Sequence, residues 1–181
     1  MRIISGKYKG RKLNTFKGFD IRPTSDMARE SLFNILGDLI YGSRFLDLFA
    51  GSGAVGIEAI SRGASEVVFM DKSNESLNLI KSNLSLINEN AKIYKGNSLF
   101  LIKEQTKSFD IIFCDPPYDF EEIKIVFEIV KNNNLLSDGG LIIYEHEKNR
   151  RTQDFEGFVL NKSKKYGIAV FDFYSLGEDN E

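Results

Sequence analysis

The sequence predicts an α/β fold: a Rossmann-like, mostly parallel sheet flanked by helices, with an antiparallel carboxy-terminal hairpin and a small amino-terminal β-ribbon plus helix extension. Three observations predict it. Short apolar runs alternate with amphipathic helical stretches between residues 44 and 144, the pattern of right-handed crossovers between parallel strands. A glycine-rich turn, Gly51-x-Gly53-x-x-Gly56, directly follows the first of these runs. The last two apolar runs, 155–162 and 166–174, are separated by only a few residues, which allows a hairpin but no crossover.

From the amino terminus, residues 2–13 read as a β-hairpin or extended ribbon with Gly6 and Gly10 at its turns. Lys7, Lys9 and Arg11 are spaced by two, so on a strand they share one face, opposite Tyr8. Such a row can track phosphates; it can equally be a solvated edge strand protected by lysines. Thr24 or Ser25 is a good N-cap, and Asp26 suits the first turn of a helix. Ala28, Leu32, Ile35, Leu36 and Leu39 then repeat at helical spacing, which predicts a helix over 25–40 with a core-facing stripe. Arg29 lies one turn from the start, where the helix dipole prefers acids, and such local conflicts sometimes mark sites.

The sheet then runs through strands at 44–49, 66–70, 91–95, 109–114 and 140–144. Helices fill the intervals, the fourth at roughly 121–132. Residues 1–42 are expected to form the basic ribbon-and-helix extension packed on the core, and 43–181 one structural unit.

Composition sets the broad class. A hydrophobic share of 42% and a charged share of 28% are those of an ordinary globular domain. No apolar run approaches the ~18 residues of a membrane span, and no basic-then-apolar leader pattern points to export. One cysteine, Cys114, excludes an internal disulfide and suits a reducing cytoplasm; the lack of a Cys/His cluster argues against structural zinc. The net charge of −2 hides an asymmetry: residues 1–22 carry Arg2, Lys7, Lys9, Arg11, Lys12, Lys17 and Arg22 against Asp20 alone. A basic arm on an acidic body suggests local contact with a polyanion.

Two corners carry the chemistry. Gly51-x-Gly53-x-x-Gly56, with Asp71 about 20 residues further on, fits the dinucleotide fingerprint, in which the acid binds ribose hydroxyls. Asp47, inside the strand before the turn, pushes elsewhere: its carboxylate repels a pyrophosphate yet can hold a cationic ligand. S-adenosylmethionine, with a ribose, an amino-acid tail and a sulfonium, suits Asp47, Gly51, Gly53 and Asp71 better than a dinucleotide does. The second corner is Asp115-Pro116-Pro117-Tyr118, which ends the apolar run 109–114. Two prolines stop the strand and stiffen the kink, so a carboxylate and an aromatic ring stand at a carboxyl end, where open α/β sheets bind ligands. Alone, the tetrapeptide reads equally as a proline turn with Asp115 capping and Tyr118 on the rim. Cys114 points away from Asp115 by strand alternation and reads as core.

These motifs, in this order, resemble the Rossmann-like S-adenosylmethionine methyltransferases that act on exocyclic amino groups. More narrowly, Arg2-Ile-Ile-Ser-Gly-Lys-Tyr-Lys-Gly-Arg-Lys-Leu13, Arg22-Pro-Thr-Ser-Asp26 and Arg29-Glu-Ser-Leu-Phe-Asn-Ile-Leu36 resemble the opening of the RsmD family, which methylates guanine N2 in small-subunit ribosomal RNA. The resemblance runs over nearly the whole chain.

It implies a cofactor pocket of Asp47, Phe49, Gly51, Ser52 and Gly53, with Asp71 on the ribose. Asn97 and Ser98 stand where relatives usually place Asp-Ala, so the Asn97 amide oxygen would replace a carboxylate in accepting from the adenine amino group. Thr24 and the Arg22 region would line the cleft. Asp115, Pro116, Pro117 and Tyr118 become the catalytic corner: the carboxylate and the Pro116 carbonyl accept from the target amino group, and Tyr118 stacks on the extruded base. RNA contacts fall to Lys7, Lys9, Arg11, Arg22 and Arg29. The implied protein is a cytoplasmic monomer that uses no metal and meets small-subunit ribosomal RNA, free or in an assembling particle. The alternatives are an adenine-N6 methyltransferase on DNA or RNA, and a non-catalytic RNA-binding assembly factor on the same fold. Glu145-His146-Glu147 receives no role, and Arg150, Arg151, Lys162, Lys164 and Lys165 read as a second basic cluster on a solvated turn.

Overall fold

The computed structural model describes residues 1–16, 25–150 and 152–177. Helix α1 spans Asp26–Leu36 and starts where the Ser25 hydroxyl accepts from the Ala28 amide. It ends at Gly37 in a 3-10 turn, Gly37–Ile40, so the expected helix over 25–40 is a helix plus a tighter last turn. The chain then alternates: β1 Arg44–Asp47, α2 Ala54–Ser61, β2 Glu66–Asp71, α3 Asn74–Leu86, β3 Lys92–Lys95, α4 Ser98–Lys103, β4 Phe109–Cys114, α5 Ile123–Asn132 and β5 Leu136–Glu147. A hairpin, β6 Phe158–Tyr166 and β7 Ala169–Leu176, closes it.

The seven strands form one sheet in the order β3-β2-β1-β4-β5-β7-β6. The first five pair in parallel, and β7 is antiparallel to both β5 and β6. Alternation divides the core into two layers. Phe45, Val67, Phe69, Ile111, Phe113, Phe171 and Phe173 pack under α1, α2 and α3. Leu46, Val68, Met70, Ile112, Cys114, Tyr144 and Tyr174 pack under α4 and α5. With the helices after β1 and β2 on one face and those after β3 and β4 on the other, the strand order reverses between β1 and β4. That reversal leaves a crevice at the carboxyl ends of those two strands.

The amino-terminal ribbon keeps its antiparallel arms, with Gly6 and Gly10 at positive φ, but its cations depart from expectation. One antiparallel bridge, Arg2 to Lys12, joins its arms, and turns close the middle: the Lys9 amide donates to the Gly6 carbonyl and the Arg11 amide to the Tyr8 carbonyl. Lys7, Lys9 and Arg11 therefore do not line one strand face. The tip is instead fixed to α2, with the Lys7 amide donating to the Ser61 carbonyl at 2.7 Å and the Tyr8 amide to the Ser61 hydroxyl at 3.0 Å. Gly6, at φ 82°, lies so close to α2 that a Cβ would meet the Ser61 carbonyl oxygen at 1.8 Å.

Glu58 on α2, itself fully buried, holds the rest of the extension. Its carboxylate accepts from the Ile4 amide at 2.8 Å, the Ser5 amide at 3.0 Å and Arg62 Nε at 2.8 Å, and lies 3.8 Å from Arg29 Nε. Arg29 is also fully buried and donates to the Arg2 carbonyl and, at 3.0 Å, to Asp26. Arg29 is thus corrected from a nucleic-acid contact to an internal clamp, because no surface remains for a polyanion to reach. Removing one member of a buried pair leaves the other charge stranded in low dielectric. Glu58→Ala is therefore expected to cost about 3–5 kcal/mol in urea unfolding, and a loss below ~1 kcal/mol would show that the clamp is not needed.

Candidate functional site

The carboxyl ends of the parallel strands open into one cleft of about 1040 Å³. The glycine-turn corner contributes Phe49 and Gly51; Asp71, Asn97 and Ser98 come from the ends of β2 and β3; and Asp115, Pro116, Pro117 and Tyr118 follow β4. The two sequence motifs therefore share one cavity. Ser25, Met27 and Ala28 at the start of α1 and the β6–β7 turn, Tyr166 to Ala169, complete the walls.

The glycine turn is built from below. The Leu48 amide donates to the Phe113 carbonyl at 3.0 Å and the Ala50 amide to the Met70 carbonyl at 3.0 Å, which anchors the turn to both neighbouring strands. Gly56 allows α2 to lie against β2, since a Cβ there would meet the Phe69 ring at 2.3 Å. Asp47 lies beneath this turn, 1% exposed, and does not line the cleft. Its Oδ2 accepts from the Gly56 amide at 3.0 Å, in the third position of α2. A carboxylate thus takes a helix-terminal N–H that a phosphate would otherwise use.

Asp71 does face the cleft. One oxygen accepts from the Gly51 amide and the other from the Ser73 amide, both at 2.8 Å, so the acid also fixes the turn's conformation. Ser52 and Gly53 lie just behind: the Ser52 carbonyl accepts from Asn83 at 3.2 Å, and buried Gly53 donates to the Ala50 carbonyl at 2.7 Å. Asn97 is the N-cap of α4, its Oδ1 accepting from the Leu99 amide at 2.9 Å. One oxygen lone pair and the amide NH₂ remain for a ligand. The Ser98 hydroxyl donates inward to the Leu48 carbonyl at 3.2 Å.

At the second corner Pro116 is buried, while Asp115, Pro117 and Tyr118 are exposed to the cleft. Tyr118 is 69% exposed, and Phe120 packs edge-on against Phe49 with ring centroids 5.0 Å apart. Cys114 is core, its thiol pushed upward first by burial and then by the Asp47 and Asp115 charges. Thr24 and Arg22 lie outside the described residues. Lys9 and Arg11 are exposed, and exposed Lys7 pairs with Glu89 at 3.2 Å. All three belong to the ribbon bound at the Ser61 end of α2, opposite the glycine turn.

Three groups were not legible as site residues. His146 lines the cleft with Nε2 2.9 Å from Asp172 Oδ2 and Nδ1 2.9 Å from the Glu147 carbonyl. Burial alone would raise the Asp172 carboxyl, but hydrogen bonding to His146 holds it below its ordinary value. A lone acid inside the apolar strand β7 was the available signal. Tyr166 contacts Ser31 and closes the α1 side. Arg150 folds back over the Asp115–Tyr118 loop.

Three carboxylates crowd one neighbourhood, which makes the buried Asp47 costlier to ionise. Burial pushes Asp47 up to about 7 against the Gly56 N–H, and the charges of Asp115 and Asp71 add to the rise. Burial of its inner side also raises Asp115. Water reaching Asp115 through the cleft screens it, so the larger shift belongs to Asp47. Among the described residues, no group of three or more His, Cys, Asp or Glu side chains is arranged to hold a metal ion, and no helix is long and apolar enough to cross a membrane.

The comparisons with known proteins agree with this geometry. A solved Escherichia coli structure whose name proposes a methyltransferase superposes with a TM-score of 0.85 at 30% identity, covering 97% of each chain. The sheet and the cleft at its switch point define a Rossmann-like methyltransferase. The family described as Conserved hypothetical protein 95 matches residues 1–175. Ribosomal RNA small subunit methyltransferase D of Haemophilus influenzae is 36% identical over 179 residues, 96% of this chain and 93% of that protein. Its namesake in Escherichia coli K12 is 36% identical over 183 residues, 100% and 92%. The chain belongs to this family, that of the small subunit methyltransferase D proteins.

The buried Asp47 gives the site a pH signature. Its folded-state value of about 7 lies above the ordinary 3.8, so the folded protein binds the extra proton. Its contribution is therefore fully present below pH ~4 and is lost as pH rises towards 7, by at most ~1.4 kcal/mol per pH unit. Asp47→Asn, which keeps an acceptor for Gly56, is expected to flatten that decline in urea unfolding between pH 4.5 and 7.5. Parallel profiles for variant and wild type would refute the assignment.

Proposed function

We propose that this protein transfers a methyl group from S-adenosylmethionine to the exocyclic N2 of a guanine in small-subunit ribosomal RNA, in the cytoplasm. The supporting observation is the shared cleft, with the glycine turn and Asp71 at one end and Asp115-Pro116-Pro117-Tyr118 at the other.

The donor chemistry of the first corner fits the cofactor. Asp71 presents a carboxylate to ribose hydroxyls, Gly51 and Phe49 offer close backbone and an aromatic face, and Asn97 borders the position for the adenine. Asp47 lies too deep for contact in this conformation, and it acts by setting the turn and by adding negative potential beneath a cationic ligand. With the Gly56 N–H already taken by Asp47, the turn is a poor pyrophosphate cradle, which weighs against a dinucleotide. When bound, S-adenosylmethionine supplies an electrophilic methyl carbon on its sulfonium.

The second corner prepares the acceptor. A guanine amino nitrogen is a weak nucleophile because its lone pair is delocalised into the ring. The Asp115 carboxylate and the Pro116 carbonyl would accept its N–H hydrogens, favouring a pyramidal nitrogen with a returned lone pair. As the N–C bond forms and the sulfonium S–C bond breaks, one N–H proton would pass to Asp115 or water. The rigid Pro-Pro kink fixes both acceptors in advance, and positioning of this kind supplies much of a methyl-transfer rate. Tyr118, exposed in the cleft, provides a stacking face for a base taken out of its helix, worth roughly 1–3 kcal/mol.

Purified small subunits, free small-subunit RNA and DNA, each given the protein and labelled cofactor, test the reading, with mass-spectrometric mapping of the product. Label at guanine N2 of the ribosomal RNA is the expected outcome, and label on adenine N6 or no transfer would overturn it. Asp115→Ala should lower turnover by roughly 10²-fold or more while calorimetric cofactor affinity stays within a few-fold. Equal loss of both would contradict the role given to Asp115.

A further inference from the structure

The segment between β4 and α5, residues 115–122, carries the catalytic corner yet has little regular structure of its own. Two prolines stiffen its first half, and a turn closes beyond them, where the Phe120 amide donates to the Pro117 carbonyl at 2.9 Å. Its second half is held from outside. Arg150, in the turn after β5, donates from Nη2 to the Tyr118 carbonyl and from Nη1 to the Phe120 carbonyl at 3.4 Å. Nη1 also donates to the Tyr144 hydroxyl at 3.3 Å. Tyr144 is a fixed post: it is 1% exposed on β5, with its ring 5.0 Å from His146 and 6.4 Å from Phe155.

We infer that Arg150 is a positioning residue: its guanidinium ties the Asp115–Tyr118 loop to the sheet and fixes the tyrosine and the carboxylate in transfer geometry. This rests on the reading of that loop as the site of methyl transfer. A planar fork suits the task, since two N–H groups diverge to two carbonyls two residues apart while the charge strengthens each bond. Lysine, a point charge without the fork, cannot make all three contacts at once. Half-buried at the cleft wall, Arg150 commits three N–H groups to two protein carbonyls and a phenol, which makes it a latch on this loop. An arginine that binds substrate phosphate leaves its donors directed at solvent, and its loss acts on KM and on the salt dependence of binding. A latch acts on kcat.

The test uses the full chain as Arg150→Ala and Arg150→Lys, with Lys148→Ala as a nearby charge control. Amide hydrogen exchange of residues 119–122 is read beside steady-state methyl transfer to small ribosomal subunits. In Arg150→Ala those amides should exchange about 10-fold faster or more while strand amides are unchanged, as local opening without global unfolding requires. Turnover should fall about 10- to 100-fold, with KM and its salt slope within ~3-fold of wild type, as a misplaced reactive loop predicts. Added guanidinium ion should restore part of the turnover in Arg150→Ala but none in Asp115→Ala. Arg150→Lys, which keeps the charge and controls for a general folding defect, should lie between wild type and Arg150→Ala. Unchanged exchange in both Arg150 variants, the same change in Lys148→Ala, or a loss confined to KM with a reduced salt slope would overturn the inference. Should the wild type transfer no methyl group, the functional reading fails, and exchange at 119–122 still decides the latch.

Discussion

The parallel pairing of β1 with β4 sets Phe45, Leu46 and Asp47 opposite Ile111, Ile112 and Phe113, and the Leu48 amide completes it by donating to the Phe113 carbonyl at 3.0 Å. It holds the ends of the two strands level, so the glycine turn and the proline kink, 64 residues apart in sequence (51 to 115), begin side by side. Alternation protects that register. Phe45 and Phe113 face one layer of the core and Leu46 and Cys114 the other, so a slip of one residue would turn every buried side chain towards the wrong face. Because the helices change faces between these strands, no crossover covers the point where they end, and the cleft opens there.

The charge of the cleft follows from the same crowding. Asp47, Asp71 and Asp115 stand at the ends of three neighbouring strands, and each raises the cost of ionising the buried one. Such a site favours a ligand carrying positive charge and hydroxyl donors, and it disfavours phosphates at the glycine turn. The carboxylates also serve the fold: Asp47 caps α2 from below and Asp71 pins Gly51. Site chemistry and local architecture are therefore not separable here, and substitution of either acid would alter both.

The amino-terminal extension shows how a basic segment can be structural and exposed at once. Its backbone is committed to Glu58 and Ser61, and Ile3 and Leu13 enter the main core. Lys9 and Arg11 remain on the surface, at the far end of α2 from the glycine turn. With eight residues at ~1.5 Å each, that helix separates them from the cleft by on the order of 12 Å.

The chain's local pattern determined the alternating α/β order, the carboxy-terminal hairpin and the two motif corners, because strand periodicity, glycine turns and proline stops act over a few residues. It even separated Cys114 from Asp115 by alternation alone. What it misjudged depends on partners far along the chain. Arg29 looked like a stray cation until Glu58 and the Arg2 carbonyl enclosed it, and Lys7, Lys9 and Arg11 looked like a strand face until α2 folded their backbone into turns. Asn97 also caps α4, a second task that only the folded chain assigns it, and it still borders the cleft. His146 found Asp172, and Arg150 found the Tyr118 and Phe120 carbonyls, only once β5, β7 and the β4–α5 loop came together. Buried polar groups must satisfy their hydrogen bonds wherever the fold supplies a partner. The sequence shows which groups need one, and tertiary structure alone decides which partner each finds.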